Sequence, residues 1–133
     1  MNRTGQDIIE TRTVKCWIEQ DDIIKVVENQ GSEQTLEDAK LNIEAIQRLA
    51  KGKKYPLLID FRGIKSMNRE AREYYSGEEG AKSVIAVALV ISSSVSKIIA
   101  NFLTKITRSK TPTRLFTTEE EAIKWLKGFL KGN

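Results

Sequence analysis

An α/β fold built on one mixed sheet, with about five strands and four helices in the order β-β-α-β-α-β-α-β-α, follows from three observations. An opening pair of β-branched runs is followed by strands alternating with helical patterns, the signature of parallel crossovers. Residues 84–91 (VIAVALVI) are apolar without alternation, as in a strand covered on both faces. Three longer stretches place apolar residues at spacings of three and four behind polar caps. With 133 residues the chain is expected to be a single domain over 1–133, with 1–9 a loose N-terminal segment.

The elements follow in order. Residues 11–18 (TRTVKCWI) and 23–28 flank a polar turn at 19–22 and read as an antiparallel hairpin, with 29–34 a loop. Thr35 caps the first helix, with Glu37 and Asp38 in its first turn. Its stripe is Leu36, Ala39, Ile43, Ile46 and Ala50, and Gly52 ends it. Residues 55–61 (YPLLIDF) read as a parallel strand and 62–67 as a connection. A modest helix follows near 68–75, capped by Asn68, with Ala71, Tyr74 and Tyr75 on one side.

After the strand at 84–91, Ser92, Ser93 and Ser94 break the run and cap a third helix. The stripe of that helix is Val95, Ile98, Ile99, Phe102, Leu103 and Ile106. Residues 107–111 form a basic loop and 112–116 a short strand, its start or an edge marked by Pro112. Thr118 and Glu121 have the spacing of a capping box. Ala122, Trp125, Leu126, Phe129 and Leu130 carry the last helix.

Composition narrows the chemistry. With no His, a Ser-His-Asp triad, a Cys-His dyad and His-ligated zinc are excluded. A lone Cys16 excludes an intrachain disulfide and reads as a small buried hydrophobe. Phosphate-loop, dinucleotide and hydrolase glycine motifs are absent. Asp60 at a strand end, Ser92 after the next strand and Lys110 suggest a phosphoacceptor aspartate, but Asp21 and Asp22 lie in a turn and no acidic pair remains to hold Mg²⁺. No catalytic residue, metal site or cofactor is expected, and the chain does not read as an enzyme.

The net charge of +4 concentrates after residue 97. Lys124, Lys127 and Lys131 lie on the polar face of the last helix, and without aromatic platforms nucleic acid is disfavoured as a partner. The longest apolar run is far shorter than a membrane span and no signal segment precedes it, so a bacterial, cytoplasmic setting is expected.

At LLIDFRGIKSMNREA, residues 57–71, the chain resembles the STAS domain of anti-sigma factor antagonists, the SpoIIAA-like group. The resemblance in element order covers nearly the whole chain. It implies a SpoIIAA-like fold and a regulatory role exerted by binding a protein. Aligned without gaps, Met67 falls on the family's Met/Ile, Asn68 on its Asp, Arg69 on its regulatory serine, Glu70 on the next hydroxyl and Ala71 on its Gly. Arg69 cannot accept phosphate, so the serine phospho-switch does not carry over.

The expected role is therefore a non-catalytic interaction module. Its partner-binding residues would be Arg62, Lys65, Ser66, Met67, Asn68, Arg69 and Arg72, with Met67, Tyr74 or Tyr75 as apolar contacts and the arginines steering an acidic protein. Asp60 with Ser92, Ser93 and Ser94 forms a candidate anion or ligand site, because ligands favour the crevice beyond the carboxyl ends of parallel strands. Against this stand the plainer readings: Asp60 paired with Arg62, the serines as caps, and Met67 with the tyrosines as core. The alternative function is a carrier of a small apolar ligand or lipid, which the resemblance of this fold to CRAL-TRIO domains suggests. A homodimer is compatible with either.

Overall fold

The computed structural model describes residues 7–92 and 111–130. The strands are β1 (Ile9–Glu10), β2 (Val14–Ile18), β3 (Ile24–Glu28), β4 (Ser32–Gln34), β5 (Tyr55–Asp60), β6 (Ile64–Met67), β7 (Val84–Val90) and β8 (Thr113–Phe116). The described helices are α1 (Leu36–Ala50), α2 (Arg69–Tyr75), α3 (Glu78–Ala81) and α4 (Glu119–Lys127). Six strands form one sheet in the order β1-β2-β3-β5-β7-β8. β1, β2 and β3 pair antiparallel, and β3, β5, β7 and β8 run parallel. The sheet is mixed, as expected.

The central expectation was that the segments at 57–61 and 84–91 lie side by side and point the same way. They do: Leu57 pairs with Val87 and Asp60 with Val90. Alternation then sorts β5 between two layers. Leu57 packs with Ile43, Ile46 and Leu49 of α1, whereas Leu58 packs with Ala122 and Leu126 of α4. Phe61 joins Met67, Ala71 and Leu89 under α2. The steps β3 to β5 and β5 to β7 advance across the sheet in one direction. Right-handed crossovers therefore put α1 and α2 on the same face, leaving the other face to α4.

Helix α1 starts where the sequence placed its cap. The Thr35 hydroxyl accepts the Asp38 N–H, and Asp38 reaches back to the Thr35 N–H at 3.0 Å, a reciprocal box. It ends at Ala50, with Lys51 at φ 50° and Gly52 at φ 83°, so both residues take the left-handed conformation and Gly52 stops the helix as expected. Thr118 likewise caps α4 by accepting the Glu121 N–H at 3.3 Å.

Three strands were not foreseen. β1 starts at the last residue of the stretch expected to be loose, with Ile9 paired to Cys16. β4 and β6, expected as loop and connection, form a separate parallel pair, Ser32 to Ile64 and Gln34 to Met67. Gly63 makes that pair possible: a Cβ there would sit 2.9 Å from the Glu28 carbonyl oxygen. The Gly31 N–H donates to the Gly63 carbonyl at 2.7 Å, locking the two turns together. The third helix expected over 95–106, and Ser93 and Ser94, lie outside the described residues.

Candidate functional site

The rim beyond β5 and β7 divides into two sides. On the α4 side, Arg62 grips Asp60 with its Nε and Nη2 at 2.9 and 2.8 Å, while the Arg62 N–H donates to the same carboxylate at 3.0 Å. Arg62 Nη2 also reaches Glu119 at 3.3 Å, and Glu119 accepts from Lys25 Nζ at 2.8 Å. The result is a chain of alternating charges from β5 to the start of α4. Burial pushes the Asp60 carboxyl up, but the Arg62 guanidinium and N–H, with the charge of Lys25, outweigh it. They hold it below the usual carboxylate range. Asp60 is thus held in an ion pair. Ser92 is exposed at the neighbouring strand's exit.

On the other side, β6 and α2 gather the remaining predicted residues. Asn68 caps α2, its Oδ1 accepting the Ala71 N–H at 2.9 Å. Lys65, Asn68 and Arg69 are exposed. Arg69 opens the helix, and its guanidinium pairs with Glu73 one turn on, at 3.1 Å. Lys65 lies 3.7 Å from Glu33 across the β4–β6 pair. Arg72 donates to the Met67 carbonyl at 2.9 Å and, among the described residues, pairs with no carboxylate. Ser66 is half-buried.

Two placements differ from expectation. Met67 is only 5% exposed and packs with Phe61, Ala71 and Leu89, so it supports the face from beneath. Alternation alone would put Met67 on the face of exposed Lys65, and its burial comes instead from its place at the end of β6, against Phe61 and Ala71. Arg62 is drawn by Glu119 toward α4, away from Arg69 and Arg72. Tyr74 and Tyr75 are half-buried against the core clusters.

Beneath α2 lies a polar network that the sequence reading missed. The Thr11 hydroxyl donates to Asn42 Oδ1 at 2.6 Å, and Asn42 Nδ2 donates to Thr13 Oγ1 and to the Tyr75 hydroxyl, both at 2.9 Å. The Tyr75 hydroxyl donates to Gln34 Oε1. Gln34 Nε2 donates to Glu28 Oε2 at 2.6 Å, and the Ser32 hydroxyl donates to Glu28 Oε1 at 2.9 Å. Burial pushes the Glu28 carboxyl up to about 7. The hydrogen bonds from Gln34 and Ser32 oppose this only in part, and the charges of Asp38 and Asp60 add to it. Burial likewise pushes the Tyr75 phenol up. One signal was available: Asn42 falls within the apolar arc of α1, between Ala39 and Ile43, where an amide must find buried partners.

Glu28, Asn42 and Tyr75 also line a cavity of about 90 Å³ between the sheet and helices α1, α2 and α3, with Val26, Leu57, Ile59 and Val87 on its sheet side. Among the described residues no group of His, Cys, Asp and Glu is placed to hold a metal ion, and no helix is long and apolar enough to cross a membrane.

With this geometry in hand, the protein can be compared with known ones. No curated protein matches it. Among solved structures it is similar to an uncharacterized protein of the DUF3478 family with a SpoIIAA-like fold, from Shewanella loihica. The two are 15% identical, with 92% of each chain covered and a TM-score of 0.59. It is also similar to the anti-sigma factor antagonist SpoIIAA in its unphosphorylated form, at 12% identity over 93% of this chain and 99% of that one, with a TM-score of 0.52. The fold is thus SpoIIAA-like, as the resemblance at residues 57–71 implied. At the level of sequence, residues 16–130 match the family described as "Domain of unknown function (DUF7793)", and the chain belongs to it.

Proposed function

We propose that the protein is a non-catalytic, STAS-like regulatory module that binds an acidic protein partner on the face formed by β6 and α2. The observation that carries this reading is the division of that face. Ala71 and Met67 are buried below it while Lys65, Arg69 and Arg72 stand above it, and Arg72 lacks a carboxylate partner among the described residues. Charges so placed steer encounter and set specificity more than they add affinity. The likeness to an anti-sigma factor antagonist supports a regulatory role. Arg69 at the head of α2 puts a fixed positive charge where the resembling family carries a phosphorylatable serine, so binding here is not gated by phosphate at that position. Ser66 and Asn68 flank the charged residues as polar contacts.

The test is capture of a partner from the source cell by the wild-type protein and by an Arg69→Glu/Arg72→Glu variant. Loss of capture, with an unchanged circular dichroism spectrum and melting temperature, is expected; undiminished capture by the variant removes this surface. The carrier alternative gains less from the structure. The cavity beside Glu28 measures about 90 Å³, less than the roughly 150 Å³ that holds one benzene. Native mass spectrometry of freshly purified protein would show a stoichiometric lipid if the carrier reading were right.

A further inference from the structure

A second recess opens at the far end of the sheet. Ile9 of β1, Ile18 of β2, Tyr55 of β5, and Leu49 and Ala50 in the last turn of α1 floor an open groove of about 770 Å³. Tyr55 begins β5 and Asp60 ends it, so the groove and the β6–α2 face lie at opposite ends of that strand. Ile8, 46% exposed, stands at the groove's margin. Arg48, Lys51 and Lys53 line it and Lys54 follows; all four are exposed, and among the described residues none pairs with a carboxylate. Asp7 is the one acidic side chain among the described residues that line it. The carbonyl end of α1 carries about half a negative charge, too little to answer four cations within residues 48–54.

We propose that this groove is a second docking site, which takes an acidic segment of another protein carrying large apolar side chains. The apolar side chains fill the floor, and carboxylates beside them meet Arg48, Lys51, Lys53 and Lys54 on the rim. Charge complementarity identifies the occupant. Residues 1–6, 93–110 and 131–133 of this chain hold no Asp or Glu, so none of these segments supplies the counter-charge. A second copy brings a net charge of +4 and is repelled at long range. A flat membrane surface does not reach a floor recessed between the cations. A small ligand is held with most of its surface enclosed, whereas this groove lies open along its length. The site shares no residue with the β6–α2 face, so it stands or falls independently of the docking reading above.

The experiment selects random peptides displayed on phage against the full-length protein, then titrates the enriched sequences, made synthetically, into isotope-labelled protein. The enriched peptides should place Asp or Glu beside Phe, Leu or Ile, and should shift the amide signals of Ile8, Ile9, Ile18 and Tyr55. Lys51→Glu/Lys53→Glu should weaken their binding about tenfold, while Arg69→Glu/Arg72→Glu leaves it unchanged. Should the first variant not fold, a salt titration of wild type decides instead: affinity must drop as the added salt shortens the reach of the rim charges. Overturning results are no enrichment, enrichment of neutral or basic sequences, affinity that ignores salt or the lysine reversals, and shifts confined to the β6–α2 face. The last of these would sink this site and favour the other. Two controls name the rival occupants. A dimer in sedimentation that Lys51→Glu/Lys53→Glu dissolves would assign the groove to a second copy. Sedimentation of wild type but not the variant with phosphatidylglycerol vesicles would assign it to a membrane. Either outcome overturns the proposal.

Discussion

Glu28 illustrates how a single side chain writes itself into the stability of the protein. Its folded-state pKa is raised from 4.5 to about 7, so between those values the native state keeps a proton that the unfolded chain has lost. By linkage, its contribution is complete below pH 4.5 and is lost as pH rises through 7. Glu28→Gln should therefore stabilise the protein at pH 8 by roughly 2–3 kcal/mol and flatten the dependence between pH 5 and 8. Urea unfolding at several pH values measures both. Asp38 and Asp60 act in the opposite sense: each is held below its ordinary value, and their contribution is present above that value and lost as pH falls further. Cys16 gives a second prediction at this scale. Burial pushes its thiol up to about 11, and it is fully enclosed, so the native protein at pH 8 should resist a thiol reagent that labels the unfolded chain at once. Prompt labelling of native protein would contradict the enclosure.

Among the elements, the β4–β6 pair is the most exposed to mutation. Gly63→Ala would drive a methyl group against the backbone carbonyl of Glu28, which cannot rotate away as a side chain could. A loss of about 1–3 kcal/mol is expected, together with faster exchange of the Gly31 amide that bonds to Gly63; thermal melts and amide exchange read the two effects. This pair also marks where the sequence stopped being readable. Its strands are SEQ and IKSM, three and four residues long, too short for a period to register, and their pairing partners lie more than 30 positions apart. The helix caps Thr35, Asn68 and Thr118 were readable because each is a local event, a hydroxyl or amide three residues ahead of the N–H it accepts.

At the scale of the molecule, the parallel order of β5 and β7 was legible because an unbroken apolar run such as β7 has few places to go except the centre of a sheet covered on both sides. The site was legible only in its sequence neighbourhood. Charge pattern drew Arg62 together with Arg69 and Arg72, whereas Glu119, 57 residues away, pulls Arg62 to the opposite layer. The two layers differ in what they can lose. One face is covered by α1, α2 and α3; among the described helices, α4 covers the other, through Leu126 and Ala122, both fully buried. Leu126→Ala should cost about 2–5 kcal/mol, a large share of the 5–15 kcal/mol typical of a folded domain. Guanidinium unfolding would check it, and a loss below 1 kcal/mol would mean that the layer repacks.

The two-residue strand β1 has a practical corollary. It shields the outer backbone of β2 around Lys15 and Cys16, and a bared margin of that kind recruits strands from neighbouring molecules. Trimming the chain back to Thr11 would remove this guard, so a shortened protein should form oligomers at concentrations where the intact one stays dispersed.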